Sequence, residues 1–162
     1  MRLTIIAFGK LKTPGMRTCA DHYLKGLHTW ATVDEIELRP VPVPDKSVQS
    51  RSAVREKEAD ILLEHLAKRP RAQVILLDEL GGALTSEKWG HLVRDAQAGS
   101  AGDLIFCIGG SLGFSDRVKQ AAAQCISLGP QTLPHELARV VLLEQLFRAL
   151  SIVNGHPYHN QG

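Results

Sequence analysis

The segment Asp103-Leu104-Ile105-Phe106-Cys107-Ile108-Gly109-Gly110-Ser111-Leu112-Gly113 decides the fold of this 162-residue chain. Its first half is a short apolar run of the kind that forms a buried strand. Its second half is rich in glycine, so the backbone can turn sharply there and a ligand can approach it closely. The segment therefore predicts a strand over 103–108 that ends in a tight loop.

Four further strands and five helices are expected around this segment. Their alternation along the chain is typical of an α/β protein with a mainly parallel sheet flanked by helices. A turn is expected at Gly81-Gly82, and Thr132 is expected to cap the last helix. The other strands are expected at 3–8, 33–38, 73–77 and 125–128, and the helices at 14–30, 52–69, 86–98, 116–124 and 134–153.

Composition excludes several classes of protein. The 44% hydrophobic content fits a globular domain of ordinary size. No apolar run approaches the roughly 18 residues of a membrane span. Residues 1–12 lack the features of a secretory signal, and the three cysteines are far apart with no paired spacing. We therefore expect one cytoplasmic domain over residues 1–162, with no membrane as a partner.

The charge of the chain is distributed unevenly. Residues 39–71 carry eight Lys or Arg against five Asp or Glu, whereas residues 72–102 carry two against four. A mild basic bias of this kind is weak support for contact with nucleic acid, because many solvated helix faces show it.

A ligand site is expected at the carboxyl ends of the strands, where open parallel sheets bind their ligands. Here those ends are Leu77-Asp78, Gly109-Gly110 and Leu128-Gly129-Pro130. The glycine loop is neither a P-loop nor G-x-G-x-x-G, which disfavours a nucleotide-binding Rossmann protein. Residues 128–135 form a stiff, irregular loop before the last helix. Each loop also fits a simple turn or connector, and spacing alone leaves both interpretations open.

The last helix carries apolar residues on more than one side. Leu142, Leu146 and Leu150 share one broad arc, and Val141 falls on another side. Such a helix is expected to pack on its own sheet and on a partner, so we expect a homodimer built largely on that arc. Arg139 projects into the arc and is interpreted either as an interface salt bridge or as a catalytic residue.

The tail, residues 154–162, concentrates two imidazoles and a phenol in His156-Pro157-Tyr158-His159. Such side chains stack on bases and bind base edges, which favours an RNA-contacting segment. No cysteine or carboxylate nearby completes a metal site with the histidines, so no metal is expected. The alternative interpretation is a disordered terminus.

Together these segments resemble the RlmH family of the SPOUT superfamily. The resemblance rests on the order and spacing of six short motifs, covers essentially the whole chain and is strongest from residue 74 onward. The motifs are Leu77-Asp78, Ile108-Gly109-Gly110-Ser111, Thr132-Leu133-Pro134-His135, Arg139-Val140, Glu144-Gln145-Leu146-Phe147-Arg148-Ala149 and His156-Pro157-Tyr158-His159.

The resemblance implies a SPOUT-type fold with a C-terminal trefoil knot, here at about 74–153, and a homodimer. It implies that S-adenosylmethionine binds in the knot. It also implies methylation of N3 of pseudouridine 1915 in helix 69 of 23S rRNA, on the assembled ribosome. DNA is not among the implied partners.

Site residues follow from the same resemblance. The three strand-end loops would bind the cofactor, and the tail would face the RNA. Arg139 would place positive charge near a uracil carbonyl, and His159, His135 or bulk water would take the N3 proton. The residues carried over are Leu77, Gly109, Gly110, Leu128, Gly129, Pro130, Gln131, Thr132 and Leu133 for the cofactor, with Arg139, His156, Tyr158 and His159 for catalysis.

Two positions depart from the family pattern. The tail continues as Asn160-Gln161-Gly162, where the family ends with a basic residue, so one phosphate contact is expected to be missing. Glu58-Ala59 stands where the family often has Glu-Gly. Alanine favours a helix at this position, so no harm to the fold is expected.

Two other functions stay open at this point. A SPOUT enzyme acting on tRNA would share the cofactor loops, although the small size of the chain favours a large preformed target such as the ribosome. A non-catalytic ribosome-binding factor would bind no S-adenosylmethionine, and the two loops argue against it.

Overall fold

The computed structural model describes residues 1–99 and 103–160. Within these residues the chain forms a parallel five-stranded sheet with the strand order β2-β1-β4-β3-β5. The expected α/β architecture is therefore confirmed. The strands are β1 (Arg2–Phe8), β2 (Thr32–Leu38), β3 (Gln73–Ala83), β4 (Asp103–Ile108) and β5 (Gln124–Ser127).

Helices cover both faces of the sheet. The helices α1, α3 and α5 pack on one face, and α2 and α4 pack on the other. No helix in residues 1–99 or 103–160 combines the length and apolar character needed to cross a membrane. The helices are α1 (Pro14–Leu27), α2 (Val48–Ala67), α3 (Ser86–Ala98), α4 (Asp116–Ala121) and α5 (His135–Val153), followed by a short 3-10 helix at Pro157–Asn160.

The central strands contribute side chains to two hydrophobic cores, one on each face of the sheet. Ile5 and Phe106 point into the core beneath α1, α3 and α5, whereas their neighbours Ile6 and Cys107 point into the core beneath α2 and α4. Because both faces of the sheet are covered, these strands read in the sequence as continuous apolar runs rather than as alternating patterns.

The strand β3 is longer than expected, and the turn expected at Gly81-Gly82 is wrong. The register between β3 and β5 shifts after Leu77, and Gly82 then pairs with Ile126. A side chain on Gly81 would lie 2.7 Å from the backbone of Cys125. Gly81 therefore allows β3 and β5 to approach closely beyond the irregularity in β3. The backbone does not reverse direction there.

Helix starts also differ from the expectation. The helix α2 begins at Val48, four residues earlier than expected, because the Ser47 side chain caps it by accepting a hydrogen bond from the Ser50 amide at 3.1 Å. Thr132 does not cap α5, because its hydroxyl donates to the Glu79 carboxylate instead.

The expectation that the apolar arc of α5 forms a dimer interface is wrong. Leu142, Leu146 and Leu150 have no exposed surface and belong to the protein's own core. The sheet, α1 and α3 together surround this side of α5. Helical periodicity shows which residues share a face, but the number of elements that cover that face is decided by tertiary packing.

Candidate active site

A cleft of about 930 Å³ lies along the carboxyl ends of β1, β4 and β5 and beside Leu77, where the regular pairing of β3 ends. Its volume is in the range of small-molecule sites. Pro130, which was expected to line it, is exposed between Gly129 and Gln131 and does not do so. The other residues expected to bind a cofactor all line the cleft: Leu77, Gly109, Gly110, Leu128, Gly129, Gln131, Thr132 and Leu133.

A partly buried ion pair fixes the wall formed by β3 just after Leu77, where its regular pairing ends. The Lys119 ammonium lies 2.7 Å from the Asp78 carboxylate, which also accepts a hydrogen bond from the Leu80 amide at 2.9 Å. Burial raises the pKa of Asp78, but these two donors outweigh it and hold that pKa below its ordinary value. Both partners are therefore charged at neutral pH. Sequence reasoning named Asp78 as a strand end and as part of the Leu77-Asp78 motif but gave it no role, and it missed Lys119.

Gly110 allows the loop to approach a buried carboxylate closely. A methyl group placed on Gly110 would lie 2.5 Å from Oε2 of Glu58. The loop then turns at Gly113, whose φ of 70° is in the left-handed region and whose amide donates to the Gly110 carbonyl at 3.1 Å. The glycine-rich loop is therefore a tight turn and a wall of the cleft at the same time.

Glu58 packs against the glycine loop without lining the cleft, and sequence reasoning gave it no role there. Only 5% of it is exposed, and its Oε1 accepts a hydrogen bond from the Val41 amide at 3.0 Å. Burial raises the pKa of Glu58, and the Val41 bond offsets this only in part. A sequence signal was present, because Glu58 interrupts an apolar row of α2 with a spacing of four residues. The row consists of Val54, Glu58, Leu62 and Leu66.

The loop after β5 is held by its own hydrogen bonds. The Ser127 hydroxyl donates to the Gly129 carbonyl at 2.7 Å and accepts from the Gly129 amide at 3.1 Å. Gly129 has a φ of 143°, which strongly favours glycine. Thr132 ties the loop to Glu79, which follows Asp78 on the opposite wall. These bonds make the loop a rigid wall before α5.

Arg139 does not line the cleft. Its guanidinium lies 2.7 Å from Glu37 and donates to the Gly9 carbonyl at 2.9 Å, with 1% of the side chain exposed. The expected interface salt bridge is therefore an intrachain pair that clamps α5 to the ends of β1 and β2. Direct contact of Arg139 with a substrate would require this network to open.

The tail packs on α5, so the interpretation of a disordered terminus does not hold for residues 156–158. The Tyr158 hydroxyl donates to Glu144 at 3.1 Å, its ring contacts Phe147 edge-on, and Arg148 lies over the ring. Burial, a hydrogen bond with Tyr23 and the nearby Glu144 charge raise the pKa of Tyr158. The phenol is therefore neutral at physiological pH.

Within one chain the tail and the cleft are separated. The His156 ring packs on Trp30, which precedes β2 at the amino edge of the sheet, whereas the cleft lies at the carboxyl edge. Glu144, the partner of Tyr158, lies about 14 Å along α5 from His135 at a rise of about 1.5 Å per residue. The side chain of His159 is outside the part of the chain that the structure describes.

Of the histidines proposed as proton acceptors, His135 does line the cleft. It packs over Gly9, where a methyl group would lie 2.6 Å from its Nε2. Gly9 has a φ of 101°, which strongly favours glycine. The Nε2 atom also lies 3.3 Å from the carbonyl oxygen of Lys10. The imidazole is therefore oriented by the loop that follows β1.

Comparison with known proteins assigns the family. A family model described as a predicted SPOUT methyltransferase matches residues 1–159. The chain belongs to the SPOUT methyltransferase family. Ribosomal RNA large subunit methyltransferase H of Clostridium botulinum strain Okra is 36% identical over 160 residues, which cover 98% of this chain and 99% of that protein.

Two further relatives agree with this assignment. The protein of the same name from Clostridium botulinum strain Kyoto is 36% identical, and a relative from Methanococcus maripaludis strain C5 is 37% identical. Each alignment covers 98% of this chain and 99% of the relative. The resemblance to the RlmH family that the six motifs indicated is thereby confirmed.

Proposed function

We propose that this protein methylates large-subunit ribosomal RNA with S-adenosylmethionine as the methyl donor. The proposed target is N3 of pseudouridine 1915 in helix 69 of 23S rRNA, on the assembled ribosome. The observation that supports the proposal most is the cleft at the carboxyl ends of the strands. Its walls are the same loops that carry the family motifs, in a chain that matches its relatives over nearly their whole length.

The residues of the cleft fit S-adenosylmethionine. Leu77, Leu128 and Leu133 offer apolar surface for a flat adenine ring, and the glycine loop leaves backbone groups open to polar contacts. The cleft has no glycine-rich phosphate-binding fingerprint, which disfavours ATP and NAD as ligands. When bound, the sulfonium would supply an electrophilic methyl group.

In this proposal the chain's own residues orient the base and remove its proton. A proton on Nε2 of His135 donates to the Lys10 carbonyl, which leaves the Nδ1 lone pair free. That Nδ1 takes the proton from N3 of the base. The rigid loops around Gly110 and Gly129 hold the reactants in line, so that little motion is needed for transfer.

The separation of tail and cleft supports a homodimer. If His156 and Tyr158 act at a cleft, a second copy has to supply them. The surface for this contact is the outward face of α5, where the half-buried Leu137 and Val141 lie, rather than the buried leucine arc. Each protomer would then place its tail beside its partner's cleft.

Membership in the family supports three broader proposals. These are one domain over residues 1–162, a trefoil knot at about 74–153 and a cytoplasmic location. The strand β5 pairs with β3 both before and after the irregularity in β3. This pairing fits a chain that is tightly interwoven in this region.

Methyl transfer to purified ribosomes tests the proposal. Ribosomes from a strain that lacks the modification are incubated with the protein and tritiated S-adenosylmethionine, and the labelled position is found by mass spectrometry of helix 69. We expect one methyl group per ribosome. Transfer to tRNA alone would favour the tRNA enzyme, and ribosome binding without transfer would favour the non-catalytic factor.

A further inference from the structure

Two arginines of α2 line the mouth of the cleft without a partner for their charge. Within residues 1–99 and 103–160, the guanidinium groups of Arg51 and Arg55 form no hydrogen bond or ion pair. Two other cations near the cleft are paired, because Arg117 lies against Glu56 and Asp60, and Lys119 is held in its ion pair with Asp78. Two positive charges are therefore available at the cleft.

The position of these arginines is electrostatically unfavourable for the protein alone. Arg51 lies in the first turn of α2, where the helix dipole is positive and no acidic residue is present. Arg55 lies one turn further on the same face, so the two like charges repel. The nearby Asp45 is engaged by the Ser47 amide and the Ser50 hydroxyl. A bound anion would offset the repulsion between these two charges and the positive end of the helix dipole.

The surroundings of the two arginines match a macromolecule better than a small ligand. Arg39 and Lys46 are exposed in the loop before α2, and residues 39–57 carry five basic residues against two acidic ones. Val48, the first residue of α2, is 81% exposed, and Leu80, which lines the cleft, is 86% exposed. A cofactor inside the cleft would leave Arg39, Lys46 and Val48 uncovered, because none of them lines it, whereas an RNA strand lying across the mouth would cover them together with Leu80.

We propose that Arg51 and Arg55 bind backbone phosphates of the RNA substrate and thereby set the target base over the cleft. The planar guanidinium fork matches a phosphate group in two hydrogen bonds, and the amino-terminal end of α2 adds to the same positive field. This inference rests on the proposed function, in which the substrate is ribosomal RNA. It assigns phosphate contacts to α2, in addition to the base contacts expected from the tail.

The test compares two double variants of equal charge. Arg51→Gln/Arg55→Gln removes the proposed contacts, and Arg69→Gln/Arg71→Gln removes two cations beyond the other end of α2. Binding to ribosomes that lack the modification is measured from about 50 to about 200 mM salt. Each phosphate contact contributes roughly 0.7–0.9 to the slope of log affinity against log salt, so we expect the first variant to lose about 1.4–1.8 of that slope. The control variant should keep the wild-type slope.

Further measurements separate the possible failures. S-adenosylmethionine affinity, measured by titration calorimetry, should be unchanged in the first variant. Arg51→Lys/Arg55→Lys should restore most of the slope, because it keeps the charge. A loss of cofactor affinity at an unchanged slope would assign the arginines to the cofactor's carboxylate and overturn the inference. An unchanged slope with unchanged cofactor affinity would also overturn it, while wild-type methyl transfer would leave the proposed function standing. A wild-type protein that neither binds nor methylates ribosomes would overturn both.

Discussion

Gly110→Ala is the perturbation whose outcome the structure defines most sharply. The new methyl group would lie 2.5 Å from Oε2 and 2.8 Å from Oε1 of Glu58. To reach an ordinary contact distance of 3.4 Å, the carboxylate has to retreat by about 0.9 Å. Glu58 is only 5% exposed and accepts a hydrogen bond from the Val41 amide, so we expect this retreat to weaken or break that bond.

The magnitude follows from the cost of an unsatisfied buried group. Loss of a partner costs about 1–3 kcal/mol of unfolding free energy. For a protein of this size, each kcal/mol lowers the melting temperature by about 2–4 °C, so we expect Gly110→Ala to lower it by about 2–12 °C. Gly15→Ala is the matched control, because a side chain at Gly15 meets nothing within 4 Å. It should leave the melting temperature unchanged or raise it.

A double-mutant cycle read by thermal and urea unfolding tests the mechanism. In a Glu58→Ala background the methyl group at position 110 no longer meets a carboxylate, so the second substitution should cost much less than it does alone. We expect a coupling of about 1 kcal/mol or more, as for residues in direct contact. Additive effects would refute the argument, because they would show that Gly110 is needed for a reason other than Glu58.

Three further outcomes are expected. Val141→Glu on the outward face of α5 should yield a folded monomer by sedimentation, and a variant that sediments as a dimer would exclude this face from the interface. Lys119→Met should destabilise the protein by about 1–3 kcal/mol at neutral pH, since it leaves Asp78 partly buried and unpaired. Because the pKa of Asp78 is lowered in the folded state, its stabilising effect is present above the ordinary carboxyl pKa, about 4. That effect is lost as the pH falls through the folded pKa, so acid titration of both proteins should show their difference shrinking below about pH 4. Tyr158→Phe should keep the fold but lose the hydrogen bond to Glu144, and we expect it to lower the rate of methyl transfer to ribosomes. A wild-type rate would show that this hydroxyl is dispensable.

Local sequence patterns determined the elements and the position of the cleft. Short apolar runs identified the strands because both faces of this sheet are buried. The loops at Leu77, Gly109 and Leu128 line one cleft because the carboxyl ends of parallel strands meet at one edge. The family could be assigned in advance because its motifs keep a fixed order and spacing in the chain.

Tertiary structure alone decided which faces are covered and which charges meet. The leucine arc of α5 is buried because the sheet, α1 and α3 all pack around it. Gly81 lies in the paired region between β3 and β5 instead of in a turn. Arg139 meets Glu37, and Gly110 meets Glu58, across more than 50 residues of chain in each case. Periodicity reports the direction of a side chain relative to its own helix or strand. Its neighbours from distant segments depend on the packing of the whole chain, so the clamp at Arg139 and the carboxylate beneath Gly110 were evident only in the folded protein.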